Sequence, residues 1–374
     1  MAEAGNQDVV LFEERAMAGG VQLGVATLNV PGTLNSLSLE MIDLLRPKLA
    51  GWAARADIGA VLFKGAGGRA FCAGGDIQAL YHAIRENHAA GEVVNSYPFD
   101  FFEREYRLDF ALHTFPKPVI VLGHGVVMGG GLGILSAASH RVLTERSRVA
   151  IPEVTIGLFP DAGTTWLLKR MPEHLAVFAG MTGSHLATAD AMMCGVGTHV
   201  VSSEALERLE EALLAVDLGA DRASADAALN SFLGGYEMPE LKPAELSVVP
   251  DTLSVSPPLA ETVAAVRSLK GTSDFVDKGI SALDAGCPAS VGVVHEQIRR
   301  TRTDLSLADA FRMEMIIATH CATYPDFAEG VRALLIDKDN KPAWQHASVD
   351  VLPDAYVQSH FEAPWAENPL QDLS

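Results

Sequence analysis

The sequence predicts an α/β protein, and three observations carry that prediction. Short apolar runs rich in β-branched residues, at 58–63 and 118–122, each lead through a glycine-rich turn into a segment of helical apolar period. Beyond about residue 205 such runs become scarce and long amphipathic segments replace them. The length, 374 residues of which 48% are hydrophobic, allows a large core and exceeds one typical domain. The expected organisation is a strand-bearing core over 1–205 and a mainly helical region over 206–374.

Along the chain, 21–28 alternates loosely as a strand and 39–54 has the apolar period of a helix. A short buried strand over 60–64 precedes the turn Phe71-Cys72-Ala73-Gly74-Gly75-Asp76, and 77–84 reads as an amphipathic helix that Asp76 would cap. Residues 101–108, apolar at 101, 102, 106 and 108, suit a helix with one face turned inward. The strand 118–122 precedes Gly129-Gly130-Gly131, and 141–144 and 149–151 are further strands. Helices are expected at 204–216, 221–232, 259–269, 275–285, 288–302 and 305–323. Pro239, Pro243, Pro250, Pro257 and Pro258 mark a linker or capping loop between the second and third of them.

The chemistry concentrates in Gly123-His124-Gly125-Val126-Val127-Met128-Gly129-Gly130-Gly131, Pro152-Glu153 and Phe159-Pro160-Asp161-Ala162-Gly163. Glycines bring a ligand close to the main chain with amide protons free to donate. A helix beginning at the triplet would add its unpaired first N–H groups and its dipole to the stabilisation of an oxyanion. A tight strand-to-helix turn accounts for the same glycines on steric grounds alone. The spacing fits neither the dinucleotide fingerprint nor the phosphate loop. Glu153 and Asp161 are eight positions apart with Gly157 and Pro160 between them, so a loop rather than a helix would turn both acids to one pocket. Helix-cap or surface acids are the alternative reading. If the two acids are close, one carboxyl must be raised by the charge of the other.

The paired glycine loops, with Pro152-Glu153 downstream, resemble the crotonase (enoyl-CoA hydratase/isomerase) superfamily. That resemblance implies a spiral of repeated ββα units with a helical C-terminal region. It also implies an oxyanion hole for a CoA thioester made by the N–H groups of Gly75 and Gly130. In the hydratases of the superfamily a first catalytic glutamate follows the triplet by two residues, where this chain has Gly133. The remaining acids, Glu153 and Asp161, resemble those of the 3-hydroxyisobutyryl-CoA hydrolase branch. So do Phe101-Phe102-Glu103-Arg104-Glu105-Tyr106, Ile156-Gly157-Leu158-Phe159-Pro160-Asp161 and 326–339. The branch implies hydrolysis of a short β-hydroxyacyl-CoA, 3-hydroxyisobutyryl-CoA of valine breakdown being the first choice. Glu153 would act as general base on water or as nucleophile. Asp161 would bind the 3-hydroxyl or orient Glu153 and water. Glu105 would lie at the substrate end, with Gly130, Glu153 and Asp161 also contacting substrate. No separate cofactor is implied, since coenzyme A arrives as part of the substrate. A homo-oligomer is compatible with the resemblance. Alternatives are an enoyl-CoA hydratase or isomerase on the same scaffold, and a non-catalytic CoA-binding or assembly subunit.

The formal net charge of −19 argues against nucleic acid or an anionic membrane as partner. CoA is itself polyanionic, so its mouth must be locally basic, and Lys64, Arg69, Arg332 and Lys338 are the cations considered for it. Cys72, Cys194, Cys287 and Cys321 are scattered, which indicates neither a metal site nor a disulfide framework. Cys72 reads as a small buried filler and His124 as a packed, hydrogen-bonded core histidine. Ser136 lacks a Gly-x-Ser-x-Gly setting. The acidic N-terminus lacks the apolar core of a signal peptide and the Arg-rich face of a transit peptide, and no apolar run is long enough for a bilayer. A cytoplasmic enzyme is the expectation.

Overall fold

The computed structural model describes residues 8–374. Its strands are β1 (Val10–Ala16), β2 (Gln22–Leu28), β3 (Ile58–Gly65), β4 (Ala70–Cys72), β5 (Val119–Gly123), β6 (Val126–Met128), β7 (His140–Leu143), β8 (Arg148–Ala150), β9 (His185–Ala187) and β10 (His199–Val200). They form a six-stranded sheet in the order β1-β2-β3-β5-β7-β10 and a four-stranded sheet in the order β4-β6-β8-β9. Only the β1/β2 and β8/β9 pairs are antiparallel.

The topology follows from a repeated unit. In β3–β4 and β5–β6 the first strand enters the large sheet, a glycine turn redirects the chain, and the second enters the small sheet. A helix then returns the chain: Ile77–Ala90 after β4 and Gly130–Ala137 after β6. Each repeat advances one place along both sheets, which is the predicted spiral of ββα units.

The large sheet is buried on both faces. Val61 and Phe63 of β3 and Val119 and Val121 of β5 enter the main core, whereas Ala60, Leu62, Ile120 and Leu122 enter a second, smaller one. Alternate residues therefore have two apolar destinations, and the strands read as continuous apolar runs. The helices Ser203–Leu213 and Arg222–Gly234 close the second core with Leu209, Leu213, Leu229 and Leu233. The main core is continuous from Val10 in β1 to Leu373 near the C-terminus, so the helical region shares it with the strands.

The predicted helices all form, with Leu39–Ala54 at the expected bounds and Leu307–Thr323 starting two residues late. The amphipathic run after Asp76 extends to Ala90, and the helix expected at 101–108 spans Tyr97–His113. The strands β1, β4, β6, β9 and β10 lay outside the sequence prediction. Four of them have three residues or fewer and lie beside glycines or prolines, or in mixed polar segments, where periodicity is weakest.

Candidate active site

The first glycine loop is held by the preceding chain. Leu37 N donates to Gly74 O, Asp76 N to Leu37 O, and Ala73 N to Leu34 O, at 2.8, 2.8 and 3.0 Å. Asp76 caps the following helix, its carboxylate accepting from Ala79 N at 3.1 Å, as the sequence predicts. These bonds use the N–H groups of Ala73 and Asp76 and leave Gly75 N–H without an acceptor among the described residues. In the second loop Gly129 adopts φ 51°, ψ −132°, a conformation closed to residues with a Cβ, and Gly130 begins the helix Gly130–Ala137. Gly130 N–H is thus one of the unpaired first-turn donors.

The two loops touch through their backbones. A Cβ on Gly74 would stand 3.5 Å from Gly129 Cα, and one on Gly129 would stand 3.1 Å from Gly74 Cα. From that same point on Gly129, Gly75 N and Glu153 Oε1 are each 4.0 Å away. The two glycine loops and the Glu153 carboxyl therefore meet at one place.

Glu153 opens a single helical turn, Glu153–Ile156, ended by Gly157 in the left-handed region at φ 74°. Cys287 N donates to Val154 O at 2.9 Å, so the C-terminal helices hold this turn. Past it the chain bends at Pro160 and brings Asp161 into the same interior; both acids are buried. Burial, reinforced by the Asp161 charge, holds the Glu153 carboxyl well above the usual carboxylate range. Burial also pushes Asp161 up to about 6, opposed by the Tyr106 hydroxyl, which donates to Asp161 Oδ2 at 2.8 Å.

Glu105 is buried and its Oε1 lies directly against Gly130, at the second loop. Its carboxyl is raised by burial and then by the charges of Asp161 and Glu314. Three further groups complete the cluster, and none is singled out by the sequence. Tyr106 pins Asp161. Asp109, one helical turn beyond Glu105, has both oxygens buried and unpaired. Glu314, on the helix Leu307–Thr323, accepts from Gly163 N at 2.8 Å and from Thr165 N at 2.9 Å. Gln297 adds to the same loop by donating to Pro160 O at 2.7 Å and to Thr165 Oγ1 at 2.6 Å. The four-residue spacing from Glu105 to Asp109, and a lone acid in the apolar run 313–317, were the available signals.

Gly133 is tightly enclosed. A Cβ there would stand 2.5 Å from Ala162 O, 3.0 Å from Ala162 Cβ and 3.2 Å from Asp109 Oδ1. No side chain fits at this position unless the Asp161 loop moves.

Of the other expectations, some hold and some do not. Cys72 is a buried filler whose thiol burial pushes up to about 12. His124 is hydrogen-bonded, its Nε2 2.9 Å from Gly67 O, but it is only half-buried because it sits in the turn after β5 rather than beneath a strand. Lys64 is paired with Glu210 at 2.5 Å, and Arg332 is held by Glu329, Asp337 and Asp339, so these two cations are committed to neighbouring acids. Arg69 and Lys338 form no ion pair among the described residues.

The profile of the family described as "Enoyl-CoA hydratase/isomerase" matches residues 23–361. The mitochondrial 3-hydroxyisobutyryl-CoA hydrolase of Rattus norvegicus is 37% identical over 356 residues, 95% of this chain and 89% of that protein. That of Gallus gallus is 35% identical over 349 residues, 93% of this chain and 88% of that protein. Among solved structures, a carnitinyl-CoA dehydratase from Mycobacterium thermoresistibile superposes with a TM-score of 0.83 at 30% identity, covering 98% of this chain and all of the other. An enoyl-CoA hydratase from Rhodobacter sphaeroides 2.4.1 gives 0.80 at 29% identity, with 95% and 98% covered.

Proposed function

Given that the chain belongs to the enoyl-CoA hydratase/isomerase family and is an α/β protein of the crotonase fold, we propose that it hydrolyses a short β-hydroxyacyl-CoA thioester, 3-hydroxyisobutyryl-CoA in the first place. The observation that carries this reading is the steric closure of Gly133. The position at which hydratases of the superfamily keep their first catalytic glutamate has no room for any side chain, while the loop amides and Glu153 stay together.

The thioester oxygen accepts from Gly75 N–H and Gly130 N–H, which stabilise charge where it develops. With Glu153 as general base, its carboxylate takes a proton from water as the water oxygen bonds to the carbonyl carbon. The carbonyl π pair moves onto the oxygen in the amide hole. Collapse of this intermediate breaks the C–S bond, and the departing thiolate takes the proton from Glu153. With Glu153 as nucleophile, its oxygen bonds to that carbon, thiolate leaves, and water cleaves the resulting anhydride. Both routes require ionised Glu153 and give free CoA thiol and a carboxylate. Asp161, oriented by Tyr106, holds the attacking water or the 3-hydroxyl, and Glu105 bounds the acyl end beside Gly130.

The hydrolase relatives support this substrate class. The dehydratase and hydratase among the structural neighbours keep enoyl hydration as the second reading. Glu153→Gln should abolish thiol release from 3-hydroxyisobutyryl-CoA, by at least the roughly hundredfold of a lost acid–base group, while CoA-ester binding persists. A near wild-type rate in that variant removes Glu153 from the mechanism.

A further inference from the structure

The strands β5 and β7 are parallel, and the chain leaves the C-terminal ends of β3 and β5 toward β4, β6 and the two glycine loops that follow them. At the opposite end, where β5 and β7 begin, a cavity of about 370 Å³ is lined by Lys117, Arg141, Arg170 and Arg222, together with His113 and Ser139. Its cations are unusual for this chain. Most arginines outside it contact a carboxylate, including Arg15, Arg55, Arg107, Arg300, Arg312 and Arg332. Among the described residues only Arg222 of the cavity does, with Asp226 at 2.7 Å.

The other three cations donate to main-chain oxygens. Lys117 donates to Trp52 O at 2.5 Å and to Arg55 O, at the end of the helix Leu39–Ala54. Arg141 donates to Val196 O, Ala138 O and Gly195 O. Arg170 donates to Ser136 O at 3.3 Å. Carbonyls satisfy these hydrogen bonds and favour a positive charge at a helix C-terminus, but they do not neutralise three full charges. The crowding registers at Arg141, which burial, and then Arg170, hold down to about 10. A guanidinium has five N–H donors, so Arg170 and Arg141 both keep donors to spare.

We propose that this cavity is an anion-binding site, separate from the glycine-loop site, for a small molecule carrying a phosphate group. Three uncompensated cations call for more than one negative charge, which a phosphate supplies and a single carboxylate does not. Guanidinium forks match phosphate oxygens in pairs, and the cavity volume falls in the lower part of the small-ligand range. The site is also wired to the acids. His113, on the cavity wall, ends the helix that carries Glu105, Tyr106 and Asp109, and its Nε2 stands 3.1 Å from where a Cβ of Gly163 would be.

A free phosphorylated compound is the source assigned to this site; the nucleotide end of CoA held at the glycine-loop site is the rival source of the same chemistry, and the test separates the two. Isothermal titration of the full chain with pyrophosphate should give saturable binding, weakened about tenfold by Arg170→Gln and by Lys117→Met. Arg146→Gln, at a side chain 75% exposed outside the cavity, should bind as wild type does. Thermal melts show that each variant is folded. Saturating crotonyl-CoA should leave pyrophosphate binding in place. Absence of saturable heat, unchanged affinity in both cavity variants, or displacement of pyrophosphate by crotonyl-CoA would each overturn the proposal.

Discussion

Unpaired carboxyl oxygens are costly in an apolar interior, and Glu105, Asp109 and Glu153 each leave at least one buried oxygen without a partner. The cost is lowered when the groups hold their protons, and burial together with neighbouring charges raises all three carboxyls. For Glu153 this has a kinetic consequence. In the proposed mechanism turnover needs its ionised form, so kcat/KM should rise with pH along an acid limb centred above the ordinary glutamate value of about 4.3. Asp161→Asn removes the charge that adds to the Glu153 shift, so the limb should move to lower pH while the plateau rate falls about a hundredfold or more. A pH–rate profile of the two proteins checks this; an unmoved limb separates Asp161 from Glu153. Both acids were legible in the sequence because each follows a proline or glycine landmark. Asp109 and Glu314 were not, since they sit within helices where a polar residue at a buried position looks like one on a solvated face until the packing partner is known; Tyr106 reads as an inward apolar position, which hides the use of its hydroxyl.

The loop over 160–165 is held as an element from outside itself. Glu314 receives two of its amide protons, Gln297 bonds two of its oxygens, and Ala162 is kept at φ 53°, a strained angle for a residue with a Cβ. Glu314→Ala strands two buried N–H groups and should cost about 1–3 kcal/mol for each, lowering activity through displacement of Asp161. Glu314→Gln keeps one acceptor and should lose less, which denaturant melts and rates on the two variants will rank. Gly133→Ala should be destabilising by about 1–3 kcal/mol, because its Cβ meets the rigid Ala162 carbonyl. An unchanged melt would mean that the loop yields freely. The longer helices of the C-terminal half were legible to within three residues because their apolar period persists for two turns or more, whereas the short Pro325–Val331 and Asp354–Ser359 were not. The small sheet was largely illegible: β4, β6 and β9 have three residues each, too few for alternation to register.

Across the whole molecule, two groups of carboxyls oppose one another. Those paired at the surface, such as Glu14, held at about 2 by Trp52, Arg55 and Lys48, stabilise the fold above pH 4 and lose that contribution as pH falls. Those raised in the interior, such as Glu314 at about 8, act in the reverse sense. Their folded-state values exceed the unfolded ones, so their contribution is complete below about pH 4 and is lost as pH rises toward 8. Self-repulsion at a net charge of −19 adds to the loss at high pH. The melting temperature should therefore peak on the acidic side of neutrality and fall between pH 6 and 9. A rise over that range would contradict the buried, protonated cluster. The α/β class was legible from the repeated strand–glycine–helix pattern, and the spiral only through the resemblance carried by the two glycine loops. The covering of the back of the large sheet by Ser203–Leu213 and Arg222–Gly234 was not, because two amphipathic helices do not announce which apolar face they cover. The central claim is cleavage of a thioester by a site with one catalytic glutamate beside two amide donors. It is tested most directly by following thiol release from 3-hydroxyisobutyryl-CoA alongside loss of enoyl absorbance from crotonyl-CoA. Thiol release with the enoyl signal unchanged is the predicted result; enoyl loss without thiol release would contradict the account and restore the hydratase reading.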